Sequence, residues 1–323
     1  MRPVYGNPGI LTSRLSLGKV VRMRITAFLS FLAAAVAVAC ALGAPLVHAH
    51  EGGQGGNADE AVDLWCLCTS YPEIVGIERE VSGEWLLVGP GRVRVPYATG
   101  PVQPLAPEES GPCANADDIR NSMAQPYPLE PERPATPYGV GPGRVRSYAF
   151  LGVLYGTSPS AVRARLRRKV FSFGSVTLNG RAADAMERAG RKIEAALAAD
   201  VSLRRWLKND GDFVWRRIAE EERLSPHSYG IALDLSANRA TYWQWNRQRP
   251  HPLQETYPRA IVEAFESEGF IWGGKWHKYD MMHFEYRPEI LCKSRVRLHA
   301  REAGQRLREA ICPRHGAAPA VVF

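Results

Sequence analysis

Apolar and polar positions divide the chain into three regimes. From about Ile25 to Val47 nearly every residue is apolar, with Arg14, Lys19, Arg22 and Arg24 ahead of the run and Val47-His48-Ala49 at its end. A basic start, an apolar middle and a small-residue end predict a secretory signal over residues 1–49, with an uncleaved membrane anchor as the alternative at this length. Met23 offers a second start, from which the leader has ordinary length. Residues 50–145 lose the pattern, and Gly and Pro recur in Gly89-Pro-Gly91 and from Pro126 to Pro142. This predicts an extended, loop-rich N-terminal arm packed on the remainder, with disorder from Glu51 to Asn57.

Beyond residue 146 periodicity returns. An amphipathic helix is expected over Ser158–Lys169, a strand over Val170–Leu178, and a longer helix with an Ala/Ile/Leu face over Ala182–Ala198. A further helix starts near Pro258 and runs to Glu268. Strands are expected at Phe213–Ile218, Ile231–Leu235 and Met282–Tyr286. The sum is an α+β fold: a small, mainly antiparallel sheet flanked by helices over residues 146–291, followed by a basic tail, 292–323.

Composition changes the picture in two respects. The formal charge of +8 and pI near 9.3 favour anionic envelope polymers over nucleic acid in an exported protein, although part of the excess lies in the leader. The densest basic runs, Arg163–Lys169 and Arg295–Arg308, read as solvated helix faces, and no aromatic-interleaved nucleic-acid motif accompanies them. Of six cysteines, Cys40 falls in the leader and its surroundings match a lipidation box poorly. Cys66, Cys68, Cys113, Cys292 and Cys312 remain, an odd number for an oxidising compartment. Pairing Cys292 with Cys312, and Cys113 with Cys66 or Cys68, is one arrangement; the spacing of Cys66-x-Cys68 suits neither a metal nor a redox pair.

Candidate chemistry sits in Ser225-Pro-His227-Ser-Tyr229-Gly230-Ile-Ala-Leu-Asp234 and Asp280-Met-Met-His283-Phe-Glu285. Together these supply two histidines and a carboxylate, the donor types of a catalytic zinc with one position left for water. A structural zinc would favour four ligands and cysteine. His227 and Asp234 would be about 10 Å apart on one helix and more than roughly 20 Å apart on one strand. The segment must therefore fold back, and Gly230 is the residue best able to reverse it. Asp280 and Glu285 are the candidate acid/base carboxylates. On a strand Glu285 would share the face of His283, where its other role is to accept that imidazole's proton. Of Arg216 and Arg217, adjacent on an expected strand, only one can enter the site. Most tryptophans of the region, Trp243 and Trp272 among them, read as partly buried core, whereas Trp276 is expected on the site wall. His251 and His277 are expected on polar surface, with His277 an alternative ligand.

These residues resemble the zinc D-alanyl-D-alanine carboxypeptidase and L-alanyl-D-glutamate endopeptidase superfamily of bacterial cell-wall enzymes. The family pattern Ser-x-His-x-x-Gly-x-Ala-x-Asp corresponds to Ser225, His227, Gly230, Ala232 and Asp234, and its acid three residues before the last histidine to Asp280 and His283. The likeness runs from about Tyr148 to Glu289 and takes in Phe213-Val-Trp-Arg216, Tyr242-Trp-Gln-Trp245 and Gly269-Phe-Ile-Trp-Gly-Gly-Lys-Trp276. It implies zinc held by His227, Asp234 and His283, Asp280 as catalytic acid/base, and Arg216 as the basic residue beside the site. It further implies Ser225, Tyr229 and Trp276 around the substrate and Glu285 in support. The resemblance implies an exported enzyme of the periplasm or cell envelope cutting peptidoglycan stem peptides. Terminal D-alanine removal, L-Ala-D-Glu cleavage and a zinc-bearing wall-binding module without turnover are the three readings to be separated.

Overall fold

The computed structural model describes residues 58–100, 118–129, 140–218, 221–237, 241–246, 248 and 250–311, with side chains from 59 to 303. The expected leader, the anchor alternative, the disorder at Glu51–Asn57, Cys40, Cys113 and Cys312 lie outside these residues. Among them no helix is long and apolar enough to cross a membrane.

Where a loop-rich arm is expected, the structure has ordered elements. Helix α1 (Ala58–Ser70) precedes three strands, β1 (Ile74–Glu80), β2 (Gly83–Val88) and β3 (Val93–Ala98), paired antiparallel in the order β1-β2-β3. The Gly and Pro residues at 89–91 make the turn between β2 and β3 rather than an open loop. Alternation in Val93-Arg-Val95-Pro-Tyr97 buries Val95 and Tyr97 on one face, in one cluster with Leu67 of α1, Tyr71 just after it, and Ile119 and Met123 of α2 (Ile119–Ala124). These side chains belong to the same buried cluster as Phe265, Phe270 and Phe284, so the arm completes the main core.

After α3 (Tyr148–Tyr155), helix α4 ends early, at Pro159–Arg163. Ser158 Oγ accepts the Ala161 N–H and Pro159 opens the first turn, both sound start signals. The rest of the expected helix is strand β4 (Leu166–Phe171), paired with β5 (Gly174–Asn179). Packing decides this. Val176 and Leu178 are buried, while Arg167 and Lys169 reach Asp184 and Glu187 on α5 (Gly180–Ala199). Helix α5 buries Ala182, Ala185, Met186, Ala189, Ile193 and Leu197, the helical spacing seen in the sequence.

The central sheet runs β6-β7-β9-β8, all antiparallel: β6 (Asn209–Gly211), β7 (Ala232–Leu235), β8 (Phe270–Trp272) and β9 (His283–Tyr286). Phe213–Ile218 is not a strand of this sheet. Its backbone turns back on itself, Ile218 N–H bonding Arg223 and Ser225 N–H bonding Arg216, with an isolated bridge between Arg217 and Leu224. Two short helices, α6 (Pro252–Thr256) and α7 (Arg259–Ser267), follow β7, and Phe265 of α7 stacks on Phe284 of β9 with centroids 4.2 Å apart. His251, expected at the surface, is buried and caps α6 through its Nδ1.

The expected boundary at residue 292 falls inside a helix. Helix α8 runs unbroken through Pro288–Ile311. Cys292, on its second turn, is disulfide-bonded to Cys66 of α1, which corrects the Cys292–Cys312 arrangement and removes Cys66 as partner of Cys113. Lys293 of α8 pairs with buried Asp63 of α1. Cys68 is exposed and free.

Candidate metal centre

Local geometry brings the two sequence stretches together. Pro226–Tyr229 makes one tight 3-10 turn closed by Gly230 at φ +65°, the reversal the spacing demands. A Cβ there would stand 2.8 Å from Leu166 Cδ2 and 2.9 Å from the Asn179 nitrogen, so the close approach also needs glycine. The chain then enters β7, where Asp234 lies directly opposite His283 of β9. Cross-strand partners share a face, and by the two-residue period so do His283 and Glu285.

Ligand atoms of His227, Asp234 and His283 all lie within 4.8 Å of one another. His227 Nδ1 is 2.7 Å from the Asp212 carbonyl, which only accepts, so the ring proton sits there and the Nε2 lone pair faces Asp234 Oδ2 at 3.3 Å. His283 is the mirror case: its Nε2 faces Glu285 Oε2 at 3.3 Å and its Nδ1 faces Asp234 Oδ1 at 3.0 Å. Two imidazole nitrogens therefore converge on one carboxylate that offers no proton. A shared cation satisfies all three, and a His₂Asp set without cysteine fits zinc with room for a further ligand.

Electrostatics follow from this crowding. Burial works to lower the His283 pKa, but its bonds to Asp234 and Glu285 win and push it up to about 9. Asp234, against its burial, is held well below the usual carboxylate range by both histidines. Asp280 goes the other way, to about 6, chiefly because burial disfavours its charge. Its backbone is fixed at both ends, N–H to Gly273 O at 2.9 Å and C=O from His283 N–H at 3.2 Å, while its buried Oδ1 has no hydrogen-bond partner.

The other expected site residues fare unequally. Trp276 is buried with its ring centroid 5.5 Å from that of His283; a Cβ on Gly143 would sit 2.0 Å from its ring, so the backbone passes directly over the indole. Ser225 is buried at the start of the turn, and Tyr229 at its end, where burial pushes the phenol up to about 12. Arg216 is exposed and its guanidinium donates to the Arg217 carbonyl at 3.3 Å, so the strand that would aim it inward is missing. Arg217 is exposed and pairs with Glu222. The cation set against Asp280 is Arg144, whose guanidinium lies 5.4 Å from the Trp276 ring and bonds Lys278 O at 3.1 Å. Glu285 is fully buried and gripped by Arg146 in two bonds, of 2.8 and 2.6 Å. Arg144, Arg146 and Asp212 were not candidates from sequence. The only trace of the first two is Arg-x-Arg beside Gly143, which says nothing of residues 280 or 285.

Residues 219–286 match the model of a peptidase family described as D-alanyl-D-alanine carboxypeptidase, so the resemblance read from the two stretches holds over this segment. No curated protein and no solved structure matches the chain.

Proposed function

We propose that this protein is an exported zinc peptidase that hydrolyses peptidoglycan stem peptides beside a D-amino acid, most simply as a D-Ala-D-Ala carboxypeptidase. The observation that carries the proposal is the convergence of His227 Nε2, His283 Nδ1 and the Asp234 carboxylate next to the unpartnered Asp280 Oδ1. The family match over 219–286 supports the reaction class. The disulfide between Cys66 and Cys292 supports an oxidising compartment.

His227, Asp234 and His283 would hold the ion. Bound there, zinc would acidify a water and polarise the scissile carbonyl. Asp280, with a pKa near 6, is poised to take the water proton and return it to the leaving amine. Its unpaired oxygen leaves that lone pair free for the transfer. Arg144 supplies positive charge on the same side and is the residue suited to face a developing oxyanion or a substrate carboxylate. With the ion bound, Asp212 O and Glu285 would hold the two imidazoles in the tautomers that leave a lone pair of each for it. A wall-binding module without turnover has no use for an acid/base carboxylate beside the ligands, and Asp280 is retained.

Incubating the purified protein with stem peptides, with and without a chelator, tests the proposal by mass spectrometry. Chelator-sensitive release of free D-alanine is the expected result. Cleavage only after L-alanine would assign the endopeptidase reaction instead, and intact peptides with zinc bound would leave the binding module.

A further inference from the structure

His283 also stands at the end of a chain of buried ion pairs that leads away from the cluster. Glu285 Oε2 faces His283 and Arg146 Nη2, while its Oε1 takes Arg146 Nε at 2.8 Å and Arg287 Nη1 at 3.3 Å. Arg287 in turn donates to Glu289 Oε1 at 2.6 Å and to Ser122 Oγ of α2. Glu289 Oε2 accepts the Tyr71 hydroxyl at 2.7 Å, just past the end of α1. The six side chains Tyr71, Ser122, Arg146, Glu285, Arg287 and Glu289 are all buried.

Two cations and two anions make this group neutral, and burial makes each charge depend on the others. Removing one partner from such a set strands the rest in a low-dielectric interior, so the side chains cannot swing independently. The order of contacts is Tyr71 to Glu289, to Arg287, to Glu285, to His283. Its far end is fastened twice more, by Cys66–Cys292 and by Asp63 with Lys293, which tie α1 to the helix carrying Glu289. Tyr71 and Ser122 lie outside the residues that match the family model.

We propose that Tyr71 and Ser122 of the N-terminal region, acting through Arg287 and Glu289, are positioning residues that fix Glu285 and thereby the His283 ring that Glu285 faces. The segment before residue 130 is then part of the metal site's support and sets its affinity. This rests on His283 being a ligand. Conserved geometry at a metal depends on such outer contacts, whose loss typically weakens metal binding by about 10- to 100-fold.

The test uses the full chain without its leader, loaded with cobalt or zinc, in Arg287→Met, Arg287→Lys, Tyr71→Phe and Ser122→Ala forms. Zinc affinity is measured by competition with a chromogenic chelator, and the visible absorption of the cobalt protein is recorded at saturation. Arg287→Met should bind zinc at least about 10-fold more weakly, with altered cobalt bands, and Arg287→Lys should restore part of both. Tyr71→Phe and Ser122→Ala should bind a few-fold more weakly and shift the cobalt bands in the same direction. A change in thermal midpoint alone, with affinity and saturated spectrum as in wild type, would overturn the proposal. Should Arg287→Met fail to fold, Tyr71→Phe, which lacks a single oxygen, decides by the same two measurements. A wild-type chain that takes up neither metal would overturn the ligand reading, and this inference with it.

Discussion

The two edges of the His283 imidazole face opposite kinds of surroundings. On the Nδ1 side, two imidazole nitrogens converge on the one partly exposed carboxylate of Asp234, and a buried Asp280 oxygen has no partner. On the Nε2 side, Glu285 is fully buried and both its oxygens are taken by Arg146 and Arg287, the latter also paired with Glu289. One side gathers three donors that could hold a metal ion; the other is closed within the chain. Unsatisfied buried polar groups cost free energy, so a protein keeps them where a ligand or reaction will use them, and saturates the groups that must stay still. On the proposed function, the contrast separates the reacting side of the residue from its mounting.

The largest expected effects lie on the open side. Replacing His227, Asp234 or His283 by Ala should drop bound zinc well below one per chain and abolish hydrolysis, as measured by metal analysis and D-alanine release. Full occupancy in His283→Ala would break the comparison at its centre.

Next comes the pair that distinguishes the two sides directly. Asp280→Asn should keep zinc and fold yet lose about 10²- to 10⁴-fold in kcat. Glu285→Gln should instead lower zinc affinity by about 10- to 100-fold. A dead Glu285 variant beside an active Asp280 variant would reverse the roles assigned to them.

A smaller loss, up to about 10²-fold, is expected in kcat/KM for Arg144→Ala, with Arg144→Lys recovering only part because an ammonium lacks the two-point fork. Arg216→Ala should remain near wild type, since its guanidinium is turned to the Arg217 carbonyl. Wild-type kinetics in Arg144→Ala with a large loss in Arg216→Ala would return the role to Arg216.

The mildest effect is one of pH. Asp280 must be ionised to accept the water proton, so kcat/KM should fall as pH drops through about 6, where its folded-state pKa lies, and level off above. A bound cation nearby moves this limb downward, never upward. In Asp280→Asn the limb should vanish, and its persistence would assign it to another group.

What the sequence determined by itself was which three side chains come together and the turn that assembles them. His227 and Asp234 cannot reach one ion on a straight helix or strand, so their spacing with Gly230 between them already contains the reversal, and His-x-Glu at residues 283–285 already places both side chains on one face of a strand. The long helix was legible as well, because a 3.6-residue stripe has one good way to be buried. Tertiary structure decided the rest. Leu166–Phe171 became a strand by pairing with Gly174–Asn179, with Arg167 and Lys169 set against Asp184 and Glu187 of α5, which no local propensity records. Arg216 stayed exposed while Arg144 came to lie against Asp280, and Cys292 found Cys66 across a separation of 226 residues. Arg146, Arg287, Glu289 and Tyr71 look in sequence like ordinary surface charges and an ordinary aromatic. Only burial against one another, in an interior where a charge must find its opposite, turns them into the mounting of His283.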